Sequence, residues 1–298
     1  MRIEKVASID IGSNAVRMLV SNVIVDGENY IYKKGNLVRL PIRLGADVFS
    51  TGEISEKTQE KLIKGMQAYT KIMEIHEVVG LKACATSAMR EAKNGKKVVS
   101  KIKKETGIEI EIINGKKEAK IIYSTQIAES LDDSIPHLYV DVGGGSTEIT
   151  LFYRGKVRAS KSFNIGTVRI LNNGVKSSDW EDLSSWLKRT SSELDAVSLI
   201  GSGGNINKIF KLTGIKNGKP LSYVKLLEQY KYLSSFSTDD RVSKLGLNPD
   251  RADVIIPAAE IFLTVMKTVR AKQVLVPKVG LPDGLARLAF EDFVKSCS

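Results

Sequence analysis

Eight residues near the middle of the chain, Asp141 to Glu148 (DVGGGSTE), combine two carboxylates, three consecutive glycines and two hydroxyls. Gly143, Gly144 and Gly145 let backbone amides come close to an anion. Ser146 and Thr147 add hydroxyls, and Asp141 and Glu148 supply hard oxygens for a cation. The set suits a phosphate and a metal ion together. An ordinary glycine-rich hairpin turn accounts for the glycines alone, but not for the carboxylates on either side. The same order occurs 131 residues upstream (141 minus 10) as Ile9-Asp10-Ile11-Gly12-Ser13, followed by Asn14. Asp10 would be a third carboxylate, and Gly12, Ser13 and Asn14 a second anion-binding turn, although Ser13 and Asn14 also suit simple turn capping. Arg90, in Thr86-Ser87-Ala88-Met89-Arg90, carries a fork that matches phosphate oxygens; taken alone it reads as a surface or ion-pair arginine. Glu118 stands in the first turn of an expected helix, where a carboxylate also favours the helix dipole.

The elements that must hold these residues alternate between strand and helix. Lys5 to Ile11 reads as a strand ending on Asp10, Ala15 to Val25 as a second, and Asn29 to Lys33 as a third after the Asp26-Gly27 turn. Gly45 and Gly52 are turn signals. A helix over 55–75 places Leu62, Met66, Tyr69, Ile72 and Met73 at helical spacing, as core. The strand Gly80 to Ala85 delivers the Arg90 loop, a basic helix around 96–105 stops at Gly107, and a strand over 109–113 leads to a helix from Lys117 to about Ser130. The second half repeats the order. Strands at 138–142, 148–152 and 157–163 precede a turn at Gly166, a helix at 178–194, a strand at 196–200 and a helix at 206–212. A largely helical stretch over 221–272, a strand at 273–276 and a closing helix complete it. Such alternation, with ligands at strand ends, indicates an α/β protein of two similarly built domains, expected at 1–125 and 126–298, with the last helix, about 284–296, packing back on the first.

The 298 residues can bury a sizeable core. Lys plus Arg number 45 against 34 Asp plus Glu, a net charge of +11 that favours a polyanionic partner or a solvated basic surface. Only Cys84 and Cys297 are present, which argues against a disulfide scaffold or Cys-rich zinc site and fits the cytoplasm. No segment has the roughly 18 apolar residues of a membrane span, and the basic residues lack the interleaved aromatics of a nucleic-acid surface. His76 and His137 stand outside any ligand or triad pattern, and Cys84 reads as a buried, inert thiol.

Five segments in order, SIDIGSNAVRMLV, ACATSAMREAKNG, INGKKEAKIIY, YVDVGGGSTEIT and LIGSGGNINKI, closely resemble the exopolyphosphatase and guanosine pentaphosphate phosphohydrolase family, a branch of the acetate kinase, sugar kinase, heat-shock-70 and actin superfamily. The resemblance spans about residues 3 to 290. It implies the short form, two ribonuclease-H-like domains flanking a cleft that binds phosphate chains and magnesium, closing about a junction near 124–130, with release of a terminal phosphate. By the same resemblance Glu118 is the general base for water, and a carboxylate beside other carboxylates within low-dielectric walls is expected to have a raised pKa. Arg90 and the turns Gly12-Ser13-Asn14 and Gly143-Gly144-Gly145-Ser146-Thr147 hold phosphate, and Asp10, Asp141 and Glu148 hold Mg2+.

The substrate is expected to be inorganic polyphosphate, with guanosine pentaphosphate at the same site as the alternative. A sensor that binds either without turnover, and a sugar or acyl kinase, remain as other readings; a homodimer is left open. Three departures bear on substrate choice: Lys116-Lys117 before Glu118 where many relatives are acidic, Ile170-Leu171-Asn172 in place of an acidic ending, and Leu281-Pro282-Asp283-Gly284 without the usual arginine and glutamate. Gly201-Ser202-Gly203-Gly204 resembles the superfamily's adenosine motif.

Overall fold

A computed structural model describes residues 1–123, 132, 134–192, 194 and 196–297. The junction near 124–130, the expected boundary at 125/126 and the later part of the helix expected to reach Ser130 lie outside these residues. The chain divides into two compact units, Met1–Gln126 with Leu281–Ser298, and Ile127–Gly280.

In the first unit the central strand β1 (Arg2–Ile11) is buried from Val6 onward, through the apolar Val6, Ala7, Ile9 and Ile11 and also through Ser8 and Asp10. β2 (Val16–Asp26) and β3 (Asn29–Leu40) follow it antiparallel, while β4 (Gly80–Ala85) and β5 (Ile110–Ile112) run parallel to it, giving the order β3-β2-β1-β4-β5. One face packs Ile9, Ile11, Val16 and Met18 against Leu62, Met66 and Tyr69 of a helix over Glu56–His76. Ser55 starts that helix by accepting from the Thr58 N–H. We number the helices α1 (Leu44–Thr51), α2 (Glu56–His76), α3 (Ser87–Glu91), α4 (Gly95–Thr106) and α5 (Gly115–Tyr123).

The second unit repeats the plan. β6 (His137–Val142) is central, with β7 (Thr147–Tyr153) and β8 (Lys156–Phe163) antiparallel on one side and β9 (Ser198–Ser202) parallel on the other; β11 (Gln273–Leu275) continues parallel, and β10 (Leu221–Ser222) closes the edge. Its helices are α6 (Thr167–Leu171), α7 (Ser177–Ser191), α8 (Gly204–Leu212), α9 (Tyr223–Ser234), α10 (Thr238–Ser243), α11 (Pro249–Ala252) and α12 (Ile255–Thr268). The almost wholly apolar α12 lies in the core with Phe210, Leu226 and Val274. The matching strand order and sense make both units ribonuclease-H-like, the α/β architecture of the actin-like superfamily. Among the described residues no helix is long and apolar enough to cross a membrane.

The final helix α13 (Leu281–Cys297) belongs to the first unit, where Ala286, Ala289 and Phe290 cover Val6 and Val23 on the sheet face opposite α2. Four local expectations change. β3 runs on to Leu40 rather than stopping at Lys33, because Gly35 sits at a register shift with room for no side chain: a Cβ there would lie 2.9 Å from Val20 O. Gly45 lies inside α1 rather than in a turn. The Gly166 turn opens directly into α6. Residues 281–284 are already helical, with Pro282 and Asp283 in the first turn, where each favours a helix start; Gly284 is there because a Cβ would collide with the Ile121 carbonyl.

Candidate active site

Asp10 is 6% exposed and meets its cross-strand partner Arg17, whose Nη1 donates to Oδ2 at 3.3 Å. Burial pushes the Asp10 pKa up, and the Arg17 guanidinium opposes that shift. The chain then turns sharply, with the Gly12 N–H donating to Ala15 O at 3.1 Å. Three bonds hold the turn from outside. Ser13 O accepts from Gly45 N–H (2.7 Å), Asn14 O from Arg43 N–H (3.0 Å), and the Ser13 hydroxyl oxygen from Ala88 N–H (3.2 Å). That last bond satisfies a first-turn donor of α3, whose own N-cap residue Thr86 makes no side-chain cap. The Gly12–Asn14 turn is thereby fastened to the helix that carries Arg90.

Arg90 donates from Nη1 to Ile113 O at 2.7 Å, and the next residue, Asn114, opens α5. Asn114 Oδ1 accepts from Lys117 N–H (2.9 Å) and Asn114 O from Glu118 N–H (3.0 Å). Glu118 is 6% exposed. Buried Cys84 is in register with Asp10 on one side and Glu111 on the other. Its thiol pKa is raised first by burial, then by the charges of Asp10 and Glu118, so both carboxylates lie within electrostatic reach of one side chain.

In the second unit the Gly143 turn is built the same way. The Gly143 N–H donates to Ser146 O at 3.0 Å, repeating the Gly12 to Ala15 bond at the same interval (143 minus 12 and 146 minus 15 both give 131). The carbonyls of all three glycines turn toward 167–169: Gly143 O accepts from Thr167 N–H (3.0 Å), Gly144 O from Val168 N–H (2.8 Å) and Arg169 N–H (3.1 Å), and Gly145 O from Arg169 Nε (2.7 Å). With these carbonyl oxygens bound to 167–169, the Gly144 and Gly145 N–H groups are the backbone donors this turn could offer an anion. Gly166 makes this close packing fit: a Cβ there would come within 2.5 Å of Gly144 O and of Ser146 N.

Asp141 and Glu148 are directly opposite in the β6–β7 ladder, and Asp141 is opposite Ser202 in β9. Glu148, 5% exposed, accepts on Oε1 from the Ser146 hydroxyl (2.6 Å) and the Ser162 hydroxyl (2.8 Å). The Thr147 hydroxyl donates to Ile165 O at 2.6 Å. Both hydroxyl protons expected to reach phosphate are thus spent inside the protein, and the turn's own donors are backbone amides. Gly203, at φ 114°, stands beside Asp141: a Cβ would lie 3.4 Å from Oδ1 and 2.8 Å from Val142 O. The donor set is all hard oxygen, which fits magnesium or a similar ion rather than zinc. Among the described residues no three or more His, Cys, Asp or Glu gather as a metal site. An ion at Asp141 and Glu148 would complete its shell with water and substrate oxygens, as magnesium does with phosphates.

The family model of the Ppx/GppA phosphatase family matches residues 38–288. The chain belongs to this family. Its members hydrolyse phosphoanhydrides, and this protein is such a hydrolase. The chain is 33% identical to the bifunctional 3-dehydroquinate synthase/phosphatase of Fusobacterium nucleatum subsp. nucleatum over 87% of its own length and 43% of that protein's. Thus it spans less than half of that relative. It is 24% identical to exopolyphosphatase 1 of Mycobacterium bovis, over 93% of this chain and 86% of that one. Among solved structures, the Aquifex aeolicus Ppx/GppA family member superposes with a TM-score of 0.76 at 27% identity, covering 100% of both chains.

For a Ppx/GppA phosphatase, three contributors here escape a reading of motifs. Gly166 and Arg169 support the glycine turn from behind and touch it chiefly through backbone atoms. In the sequence Gly166 shows only as a turn signal, and Arg169 carries none. Asn114 shows in sequence only as half of an Asn-Gly turn, and its capping of α5 emerges from the fold.

Proposed function

We propose that the chain is a magnesium-dependent exopolyphosphatase that removes the terminal phosphate of inorganic polyphosphate, with residues of both units serving one substrate. The observation that carries this reading is the Gly143–Gly145 turn, with its carbonyls bound to 167–169 and its place between Asp141 and Glu148, which face each other in the β6–β7 ladder. Amides cannot give up their hydrogens, so this turn attracts an anion at any pH.

In this reading the amides of Gly144 and Gly145, with Ser146 and Thr147 shaping the turn, hold phosphate oxygens; Gly12, Ser13 and Asn14 hold others. Arg90 forks onto the transferred group, and Glu118 takes a proton from the attacking water. A magnesium ion at Asp141 and Glu148, with Asp10 acting through water, would neutralise charge gathering on the phosphoryl oxygens. The net charge of +11 draws a long polyanion toward the protein. The pair of free cysteines fits work in the cytoplasm.

Purified protein is incubated with long-chain polyphosphate, and separately with guanosine pentaphosphate, with and without Mg2+. The expected result is metal-dependent phosphate release with the larger kcat/KM on polyphosphate. Faster turnover of the nucleotide would assign it as the substrate. Tight binding of either without release would make the protein a sensor and end the enzymatic reading.

A further inference from the structure

We propose that Asn114 is the positioning residue for Glu118, and that the Ile113–Asn114 corner fixes Arg90 and Glu118 with respect to each other. The inference rests on the roles assigned to those two residues under the proposed function.

Two adjacent peptide groups do both tasks. Ile113, 2% exposed, is itself fixed by donating its N–H to Ala85 O at 3.0 Å, and its carbonyl receives Arg90 Nη1 at 2.7 Å. One residue on, Asn114 begins α5, with its side chain on the Lys117 N–H at 2.9 Å and its carbonyl on the Glu118 N–H at 3.0 Å. This is the geometry of a helix N-cap, and Glu118 sits within the turn it closes. The far half of α5 is held differently. Ala119, Ile121 and Ile122 are buried, and the Ile121 carbonyl packs on Gly284. Loss of the cap therefore frays the first turn, where Glu118 stands, while the rest of the helix stays packed. The Lys117–Glu111 ion pair at 2.6 Å spans the same turn, but its side chains are 48% and 59% exposed, so it adds little. Arg90 is linked in turn through α3 to the Ser13 hydroxyl. One chain of contacts thus runs from the Gly12 turn to the general base, all within the first unit.

The test compares Asn114→Ala and Asn114→Gly, which lack the cap, with Asn114→Asp and Asn114→Ser, which restore one. Ser222→Ala serves as a control, removing the cap of α9 (Lys225 N–H to Ser222 Oγ, 3.2 Å) in the other unit. A lost cap shifts the first turn's equilibrium by roughly five- to ten-fold. We expect kcat to fall roughly five- to ten-fold in Asn114→Ala and by about two-fold in Asn114→Gly, with KM within two-fold in both, and to stay close to the wild-type value in Asn114→Asp and Asn114→Ser. Ser222→Ala should lose comparable thermal stability at unchanged kcat. Because Gly is tolerated at N-caps, Asn114→Gly keeps the test open if Asn114→Ala folds poorly.

An Asn114→Ala kcat equal to that of Ser222→Ala, or equal losses in all four Asn114 variants, would overturn the proposal. If Glu118→Gln is inactive while Asn114→Ala is unaffected, this proposal alone fails. If Glu118→Gln works at the wild-type rate, the role of Glu118 fails and the positioning claim goes with it.

Discussion

Replacing Gly166 with alanine tests the glycine turn without touching any group assigned to chemistry. Gly166 has φ −141° and ψ 157°, an extended conformation open to any residue, so its backbone gives alanine no reason to fail. Space does. The new Cβ would lie 2.5 Å from Gly144 O and Ser146 N, and closer still to Gly145 C. Reaching an ordinary separation of about 3.4 Å requires the turn to retreat by roughly 0.9 Å from α6. That movement would take Thr167 N to Gly143 O from 3.0 Å to roughly 3.9 Å and Val168 N to Gly144 O from 2.8 Å to roughly 3.7 Å, beyond hydrogen-bond range. Two such bonds contribute about 1–3 kcal/mol in total. A displacement of about 1 Å at a reacting centre typically costs on the order of 100-fold in rate. The assay is phosphate release from polyphosphate at saturating Mg2+, beside thermal unfolding followed by circular dichroism. The expected outcome is a folded protein with a lower Tm and kcat/KM down about 100-fold. A Gly166→Ala enzyme with kcat/KM within two-fold of wild type would refute the claim that this packing positions the turn.

The remaining predictions concern burial. Cys84 is buried with its thiol pKa raised well above 9.0, whereas Cys297 is exposed, so a thiol reagent at pH 8 should titrate one cysteine in the native protein and two in denaturant. The raised pKa also sets the sign of the pH dependence. The unfolded thiol ionises first, so this contribution to stability is intact below pH 9.0 and is lost as pH rises above it; Cys84→Ala should weaken the alkaline loss in Tm. The Tyr69 hydroxyl lies 3.1 Å from both Val16 O and Val38 O in the core, so Tyr69→Phe should destabilise by about 1 kcal/mol in chemical denaturation without changing KM.

The parts of this protein that were legible in sequence are those in which chemistry and chain order coincide. Asp141, the three glycines and Glu148 follow one another because a strand, a tight turn and an antiparallel strand must. The same logic made the copy at Asp10 and Gly12 visible, and the duplicated Gly12–Ala15 and Gly143–Ser146 bonds are its structural expression. Burial of Met66 and Tyr69 followed from helical spacing. Contacts made across long stretches of chain were not legible. Nothing near Ser13 indicates that its hydroxyl caps a helix 75 residues away. The roles of Gly166 and Arg169 depend on where backbone carbonyls point, which residue type does not encode. Gly45 looked like punctuation because a mid-helix glycine is ordinarily unfavourable; it is there because Ser13 Cβ and the Phe49 ring leave no space for a side chain. The exposed middle of β3, from Lys33 to Leu37, shows no alternation, since its order comes from pairing with β2; only Val38 and Leu40 beyond it pack on the core.

The central claim is that Glu118 activates the water that attacks a terminal phosphate. Its most direct test is the rate of Mg2+-dependent phosphate release from polyphosphate by wild type and Glu118→Gln at equal substrate saturation. The account predicts a loss in kcat of about 10²–10⁴-fold, with KM nearly unchanged, as expected when a general base is removed and the phosphate contacts are kept. A Glu118→Gln enzyme that turns over within a few-fold of wild type would contradict it.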